Sequence, residues 1–195
     1  IQILGNVLDL GTPSDNTVSL AKLTATGTKD ATTFLRGDNT FDTPAGGLFS
    51  STAFSAYRTT GVTLPDTTQT TIPYNAEYFD SNSAFNTTTG TYTIPTTGNY
   101  LLGVDFNISD GAGNMSDVII SLYINGSTRN YIHRTENTSN GTLFTEYSNS
   151  WIGVKDFSAG DTVVIQAYVD TNNSSSTTFL GVSNFTNQFW GVLIN

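Results

Sequence analysis

The sequence predicts an all-β protein, and three observations lead to that prediction. From Tyr100 to Ile108 apolar residues occupy every second position, so one face of a strand is apolar along its whole length. Pairs such as Thr89-Gly90 and Asn125-Gly126 supply turn residues between such runs. Serine, threonine, asparagine and glycine are abundant while charged residues make up only 12%, which is typical of a β-protein whose outer faces carry hydroxyls and amides.

The length of 195 residues suits one sandwich-sized domain plus an extension. Apolar residues are 37%, which is low, but an aromatic fraction of 12% compensates because each ring buries a large area. The chain has no cysteine, so the sequence excludes both a disulfide framework and a thiolate metal site.

The net charge of −9, with only seven Lys and Arg and no basic run, argues against a nucleic-acid partner and against docking on an anionic membrane. No segment approaches the roughly 20 apolar residues that span a bilayer, so we expect no membrane insertion.

The strands of the main domain follow in order after the segment 79–109, which the alternation marks as its central part. The patterns predict strands at 118–124, 129–135, 144–154, 162–169 and 179–194, with loops at 110–114, 137–141 and 171–178. At the other end, residues 1–10 fit a helical turn or a strand equally well, and we expect them to pack against copies of themselves or against an upstream segment.

The central segment also carries a recognisable string of residues. Phe79 and Phe85-Asn86 are followed by Thr89-Gly90-x-Tyr92-x-Ile94-Pro95-x-x-Gly98-x-Tyr100. This string resembles the core signature of C1q-type globular heads. Four further stretches, in the family's order, resemble its other motifs: 54–58 (Phe-Ser-Ala-Tyr-Arg), 122–126 (Leu-Tyr-Ile-Asn-Gly), 157–163 and 189–194. The resemblance covers about residues 49–195.

The resemblance implies a C1q/TNF-like jelly-roll sandwich of two antiparallel sheets, and it implies homotrimers built about an axis lined by inner strands. The chain departs from the pattern at Trp190, where the family usually has a small residue. We expect aspartate at inward-facing Tyr100 or Phe106 to abolish assembly, because a buried unpaired charge is costly.

A second resemblance lies upstream, at about residues 22–46. The stretch 23–41 is similar to linkers that recur in tail-fibre and other appendage proteins of bacteriophages, with Asn39 in place of the usual glycine and Phe41 in place of the usual tryptophan. We therefore predict an N-terminal stalk or attachment segment at 1–47 and a C1q-like head at 48–195. The alternative is a disordered tether. Phe34, Leu35 and Phe41 argue against it, because a free linker would not expose such apolar side chains.

Together the resemblances imply a non-enzymatic phage fibre or spike protein on the surface of the virion. The stalk would attach to other virion structural proteins, and the head would bind a glycan or an outer-surface protein of the host cell. The alternatives are a capsid or baseplate decoration with a purely structural role and, less favoured, a glycan depolymerase.

Enzymatic chemistry has few candidate residues. A Ser-His-Asp triad could form only through His133, the sole histidine, and the chain has no G-x-S-x-G motif. Asp105, Asp110 and Asp117 could bind calcium, but they lack a known ligand spacing, and turn formation is the simpler interpretation. We therefore predict no enzyme, no metal and no cofactor.

The candidate receptor-binding residues are Arg129, Tyr131 and Arg134. They combine planar hydrogen-bond donors with an aromatic ring, which suits stacking on sugars and pairing with carboxylates. The alternative is that Tyr131 packs inward and that the two arginines pair with local acids.

Overall fold

The computed structural model describes residues 24–43, 49–111, 114–136, 144–181 and 187–194, and within these ranges all regular structure is β. The strands are β1 (Phe34–Leu35), β2 (Phe41–Asp42), β3 (Phe49–Tyr57), β4 (Val62–Leu64), β5 (Thr70–Thr71), β6 (Ala76–Asp80), β7 (Phe85–Asn86), β8 (Thr91–Thr93), β9 (Gly98–Ser109), β10 (Met115–Ile124), β11 (Thr128–Glu136), β12 (Glu146–Phe157), β13 (Thr162–Thr171), β14 (Thr177–Phe179) and β15 (Gln188–Ile194). In the same ranges no helix is long and apolar enough to cross a bilayer.

The chain forms two compact units, Ile1–Gly46 and Gly47–Asn195. In the first unit, β1 pairs with β2 as a short antiparallel hairpin that leaves Phe34 and Leu35 exposed. Asn39 lies in its turn with a φ of 63°, a left-handed conformation that asparagine tolerates better than most residues, which explains how it can replace glycine there. The stalk role of residues 1–47 remains a prediction, and residues 1–10 lie outside the described residues.

The second unit contains two antiparallel sheets. One, which we call the β13 sheet, has the order β11-β10-β13-β8-β7, with β5 also pairing with β13. The other, the β9 sheet, has the order β4-β14-β9-β15-β3-β6, and β12 pairs with β9 along the edge opposite β15. The first strand of this unit therefore lies beside the last one, as β3 pairs with β15.

Aromatic rings from both sheets meet in the core between them. Phe54 of β3 stacks on Tyr92 of β8 with ring centroids 3.8 Å apart, and it meets the edge of Phe189 of β15 at 4.9 Å. The predicted apolar face of β9 is confirmed, because its five members are all buried here: Tyr100, Leu102, Val104, Phe106 and Ile108.

This placement corrects the expectation about Tyr100 and Phe106. Both side chains lie between the two sheets of one subunit, so aspartate there would unfold the subunit rather than act on assembly alone. The face of β9 that other copies could contact is the opposite one, which carries Leu101 and Gly103.

Most predicted strands are confirmed with shifted ends, and Asn125-Gly126 forms the turn after β10 with positive φ at both residues. The loop predicted at 171–178 is wrong at its ends. Thr171 closes β13 and Thr177 opens β14, and both side chains are buried because they pack at strand positions. The turn predicted at 137–141 and residues 112–113 of the loop at 110–114 lie outside the described residues.

Candidate functional site

The three predicted binding residues lie on one edge strand, β11, and face away from the core. Arg129, Tyr131 and Arg134 pair with Tyr123, Ser121 and Ile119 of β10, in that order. These three partners occupy alternate positions of β10, on its outward face. A β-bulge opposite Ile120/Ser121 makes this possible, because in a regular strand Tyr131 and Arg134 would point to opposite faces. We call this side of the β13 sheet the polar outer face.

From the sequence, the three residues are either available to a ligand or occupied by local contacts. Their surroundings give a different answer for each residue. Tyr131 is 64% exposed, so the inward-packing alternative is wrong for it. Arg134 does pair with local acids, since its Nη2 lies 3.2 Å from Asp117 Oδ2 and 3.0 Å from Glu136 Oε2. These carboxylates, Asp117 first, raise the pKa of the Arg134 guanidinium.

Arg129 has a different environment. Its Nη2 donates to the amide oxygen of Gln166 at 3.3 Å, and its guanidinium lies 5.6 Å from the centroid of the Tyr123 ring. Gln166 is itself buried and donates through Nε2 to Thr71 Oγ1 at 3.3 Å. The arginine is therefore positioned by neutral groups.

A groove of about 340 Å³ lies beside Arg129 on the polar outer face. Five of its eight lining residues carry a hydroxyl, and the lining consists of Thr71, Thr89, Thr91, Tyr123, Gly126, Thr162, Val164 and Gln166. The Tyr123 hydroxyl donates to the carbonyl of Gly126, which fixes the ring as one wall.

The other side of the sandwich is different in character. On the β9 sheet, the face turned away from the core carries two rows of paired residues. One row is Ala53, Val192, Leu101 and Val154, and the other is Phe79, Ser55, Trp190, Gly103 and Ile152. We call this surface the apolar outer face. Ile152, Val154 and Phe79 are 62%, 60% and 53% exposed.

Trp190 lies across Gly103 at the centre of this face. A Cβ atom at Gly103 would come within 2.1 Å of the indole ring, so only glycine leaves room for the tryptophan. Beside the indole, a cavity of about 480 Å³ opens between Phe79, Leu101 and Val192. The departure of Trp190 from the family pattern is therefore matched by Gly103 on the neighbouring strand.

His133 has a packing role. It faces inward from β11, and its Nε2 lies 2.9 Å from the hydroxyl of Tyr147 on β12, so it joins the edges of the two sheets. Burial lowers its pKa, which favours the neutral ring that can accept a hydrogen bond from Tyr147. Its bonded partner is a phenol rather than the serine and carboxylate of a triad.

The three aspartates considered for calcium are not brought together. Asp105 lies in β9, whereas Asp117 lies in β10 of the other sheet and pairs with Arg134. Asp110 accepts a hydrogen bond from the backbone of Asn114 at 2.6 Å, as a turn-forming aspartate does. Across the described ranges, no cluster of three or more His, Asp or Glu side chains is arranged to hold a metal ion.

Two of the recognised motifs interlock as turns. The Asn125 side chain accepts from the backbone of Thr162 at 2.8 Å and donates to Asp161 Oδ1 at 2.8 Å. The hydrogen bond from Asn125, followed by one from the Ser158 backbone, lowers the pKa of the Asp161 carboxyl. These motif residues therefore hold the β10–β11 turn against the turn that precedes β13.

Sequence reasoning missed the apolar outer face and the groove. The first had a weak signal in the nearly continuous apolar runs at 100–104 and 189–194, which are typical of strands covered on both faces. Shorter runs at 118–120 and 163–165 carry the same pattern on the other sheet. The groove had none, since its threonines come from three separate segments of a threonine-rich chain.

Comparisons with known proteins agree with this architecture. A family model described as the C1q domain matches residues 53–187. The globular domain of zebrafish complement 1qA protein superposes with a TM-score of 0.50 at 17% identity, covering 73% of this chain and 97% of that chain. Eiger TNF from S. frugiperda superposes with a TM-score of 0.50 at 13% identity, covering 73% of this chain and 92% of that chain. Murine APRIL superposes with a TM-score of 0.50 at 15% identity, covering 72% of this chain and 97% of that chain. No curated protein matches the chain significantly. The predicted C1q/TNF-like jelly-roll sandwich is confirmed.

Proposed function

Since the chain belongs to the C1q domain family, we propose that it is a non-enzymatic, homotrimeric binding head. In this proposal the apolar outer face joins three copies, and the polar outer face remains outside and contacts the surface of a bacterial cell. The head would belong to a fibre or spike on a bacteriophage particle.

The apolar outer face is the observation that carries the trimer. Exposed aliphatic and aromatic side chains on one continuous sheet face are costly in water, and burying them in an interface recovers about 25 cal/mol per Å². Strand β15 and the first half of β9 carry apolar residues on both sides, which is typical of strands covered on both sides. A second and a third copy of the same chain would provide that cover.

The shape of the face favours a ring. Ile152 and Val154 project from β12 at one edge, whereas the cavity beside Trp190 lies towards β3 at the other. Projecting groups and a cavity at different places on one face suit a head-to-tail contact, and such contacts close into rings. Three subunits is the number that the family resemblance implies.

The position on a phage particle rests on the upstream segment. The resemblance of 22–46 to appendage linkers supports it, and so do Phe34 and Leu35, whose exposure in the β1–β2 hairpin suits cover by neighbouring copies. Three binding faces on one trimer would give avidity even if each site binds weakly.

The trimer is tested by native mass spectrometry and light scattering of the purified chain, whose subunit mass is 20.9 kDa. We expect the wild type to have three times that mass and Ile152→Asp to be a folded monomer. A carboxylate buried there without a partner costs about 3–5 kcal/mol per interface. Tyr131→Asp is the matched control, an equally exposed side chain on the polar outer face that should leave the trimer intact. A monomeric wild type would refute the trimer.

The binding role is tested by incubating the trimer with candidate host cells. We expect adsorption that competes with phage infection. A trimer that labels the virion by immuno-electron microscopy but does not bind cells would instead be a structural decoration. Release of reducing sugar from host polysaccharide would contradict the non-enzymatic proposal.

A further inference from the structure

Arg129 differs from the other three arginines of the chain in its partners, which are the neutral side chains of Gln166 and Tyr123. Arg36 and Arg134 form ion pairs with aspartates, at 3.0 and 3.2 Å. Arg58 donates to the backbone carbonyls of Thr60 and Pro73, which fixes a loop. Within the described ranges no carboxylate lies at ion-pair distance from Arg129, although the protein carries a net charge of −9.

The guanidinium of Arg129 is nevertheless held in place. Gln166 accepts from it and is itself anchored to Thr71, while the Tyr123 ring lies against it and is fixed by the Gly126 carbonyl. Contacts to neutral groups orient a cation without cancelling its charge. An oriented and uncompensated arginine is suited to pairing with the carboxylate of a ligand.

The groove beside Arg129 supplies the rest of a binding site. Threonine hydroxyls on its walls both donate and accept hydrogen bonds, which matches the hydroxyls of a sugar ring. The rings of Tyr123 and exposed Tyr131 offer flat apolar surfaces for the C–H face of a sugar. A volume of about 340 Å³ is at the small end of ligand sites, so the groove suits a single sugar residue of a longer glycan.

We propose that this groove binds an acidic saccharide, a sugar residue whose ring carboxylate pairs with Arg129 while its hydroxyls meet the threonines. The inference deepens the proposed function by naming the chemical class of the receptor, and it rests on the polar outer face being the binding face.

The probes are oligogalacturonate and a glucuronic-acid disaccharide, each compared with its methyl ester, which keeps the hydroxyls and removes the charge. Binding to the wild-type chain is measured by titration calorimetry and by saturation-transfer NMR. We expect at least one acid to bind at millimolar concentration or better, and its ester to bind roughly tenfold more weakly. Equal binding of acid and ester, or no binding of either acid, would overturn the inference.

Two arginine variants on the same face provide the matched comparison. We expect Arg129→Gln to weaken binding of the acid roughly tenfold and to abolish the difference between acid and ester, because the amide keeps the polarity and loses the charge. Arg134→Gln should bind like the wild type, since Asp117 and Glu136 already neutralise that arginine. An unchanged Arg129→Gln variant would overturn the proposal, and native mass spectrometry of both variants confirms that they assemble alike.

Cell adsorption separates this inference from the proposed function. If the wild type and Arg129→Gln adsorb equally to host cells, the groove is not the receptor site and the binding-head proposal stands. If the wild type binds the acid with the expected dependence on Arg129 but adsorbs to no host cell, the groove assignment stands and the host-binding role is wrong.

Discussion

The two outer faces of the sandwich cover the same core but differ in chemistry. The apolar outer face carries Ile152, Val154 and Trp190 in continuous rows, whereas the polar outer face carries Arg129, Tyr131 and a groove lined by threonines. Both faces consist of antiparallel strands of similar length, so the difference comes from the residues at alternate positions and not from the backbone.

This difference is the basis for proposing that other copies cover the apolar outer face. On the outer face of the β13 sheet, apolar Ile119 and Val164 lie among polar residues such as Gln166. In β15 and the first half of β9 the outward residues Trp190, Val192 and Leu101 are apolar, and they lie in rows with the exposed side chains of β12. The apolar runs alone do not separate the two faces, because 118–120 and 163–165 in the β13 sheet are continuous apolar runs as well. The difference lies in the large exposed side chains Ile152, Val154 and Phe79 on the apolar outer face.

Neighbouring residues on β9 allow the largest test of this distinction. Tyr100 is buried in the core and Leu101 faces the apolar outer face. We expect Tyr100→Asp to unfold the head, because burying an ionised carboxylate costs as much as the roughly 5–15 kcal/mol that stabilises a domain. Leu101→Asp should keep the β-type circular dichroism spectrum and lose the trimer. If both variants fold, or if both unfold, the assignment of Tyr100 to the core side and Leu101 to the outer side of β9 is wrong.

A smaller effect is expected at the centre of the apolar outer face. Gly103→Ala would place a methyl group 2.1 Å from the indole of Trp190 and displace the ring, weakening assembly by about 1–3 kcal/mol per subunit. The change is measured as a shift in the dissociation midpoint on dilution, together with tryptophan fluorescence.

The control for this prediction is the same change in a Trp190→Ser background. With the indole absent, Gly103→Ala should cost less than about 0.5 kcal/mol further, since the two positions are coupled only through that contact. Additive costs would indicate that the clash is not the cause.

The smallest effect is expected at the boundary between the sheets, where His133 meets Tyr147. Burial lowers the pKa of His133 below its ordinary value of 6.5, so between the two values the unfolded chain binds more protons than the folded one. The stabilisation is complete above about pH 6.5 and is lost as the pH falls towards the lowered pKa. Urea titrations at pH 8 and at pH 5 measure this effect. We expect the free energy of unfolding to fall more between pH 8 and pH 5 for the wild type than for His133→Phe.

The matched control for His133 is Tyr147→Phe, which removes the hydroxyl and keeps the ring. It should be less stable than wild type at pH 8, where the hydrogen bond from Tyr147 to the neutral imidazole exists. Equal pH dependence in wild type and His133→Phe would exclude the histidine as the titrating group.

The sequence predicts the local features of the fold well. The alternation along β9 identifies its buried face, and Asn125-Gly126 identifies the turn after β10, because both depend only on neighbouring residues. The sandwich itself came from a family resemblance, since strand order depends on contacts between distant segments such as β3 and β15.

The site was less predictable. The spacing of Tyr131 and Arg134 would put them on opposite faces of a regular strand, and only the bulge on β11 brings them to the same side. Arg129 is oriented by Gln166, which lies far along the chain and on another strand. A register shift and a long-range hydrogen bond leave no mark in the local pattern.

The position of β15 between β9 and β3 bears on how the protein is made in the cell. Of the described strands, β15 leaves the ribosome last. It lies inside the β9 sheet, between β9 and β3, and it carries Trp190. A nascent chain interrupted before residue 188 has no neighbour for one edge of β3 and lacks the middle of the surface that would join it to other copies. We therefore expect prematurely terminated products to fail to enter the proposed trimer.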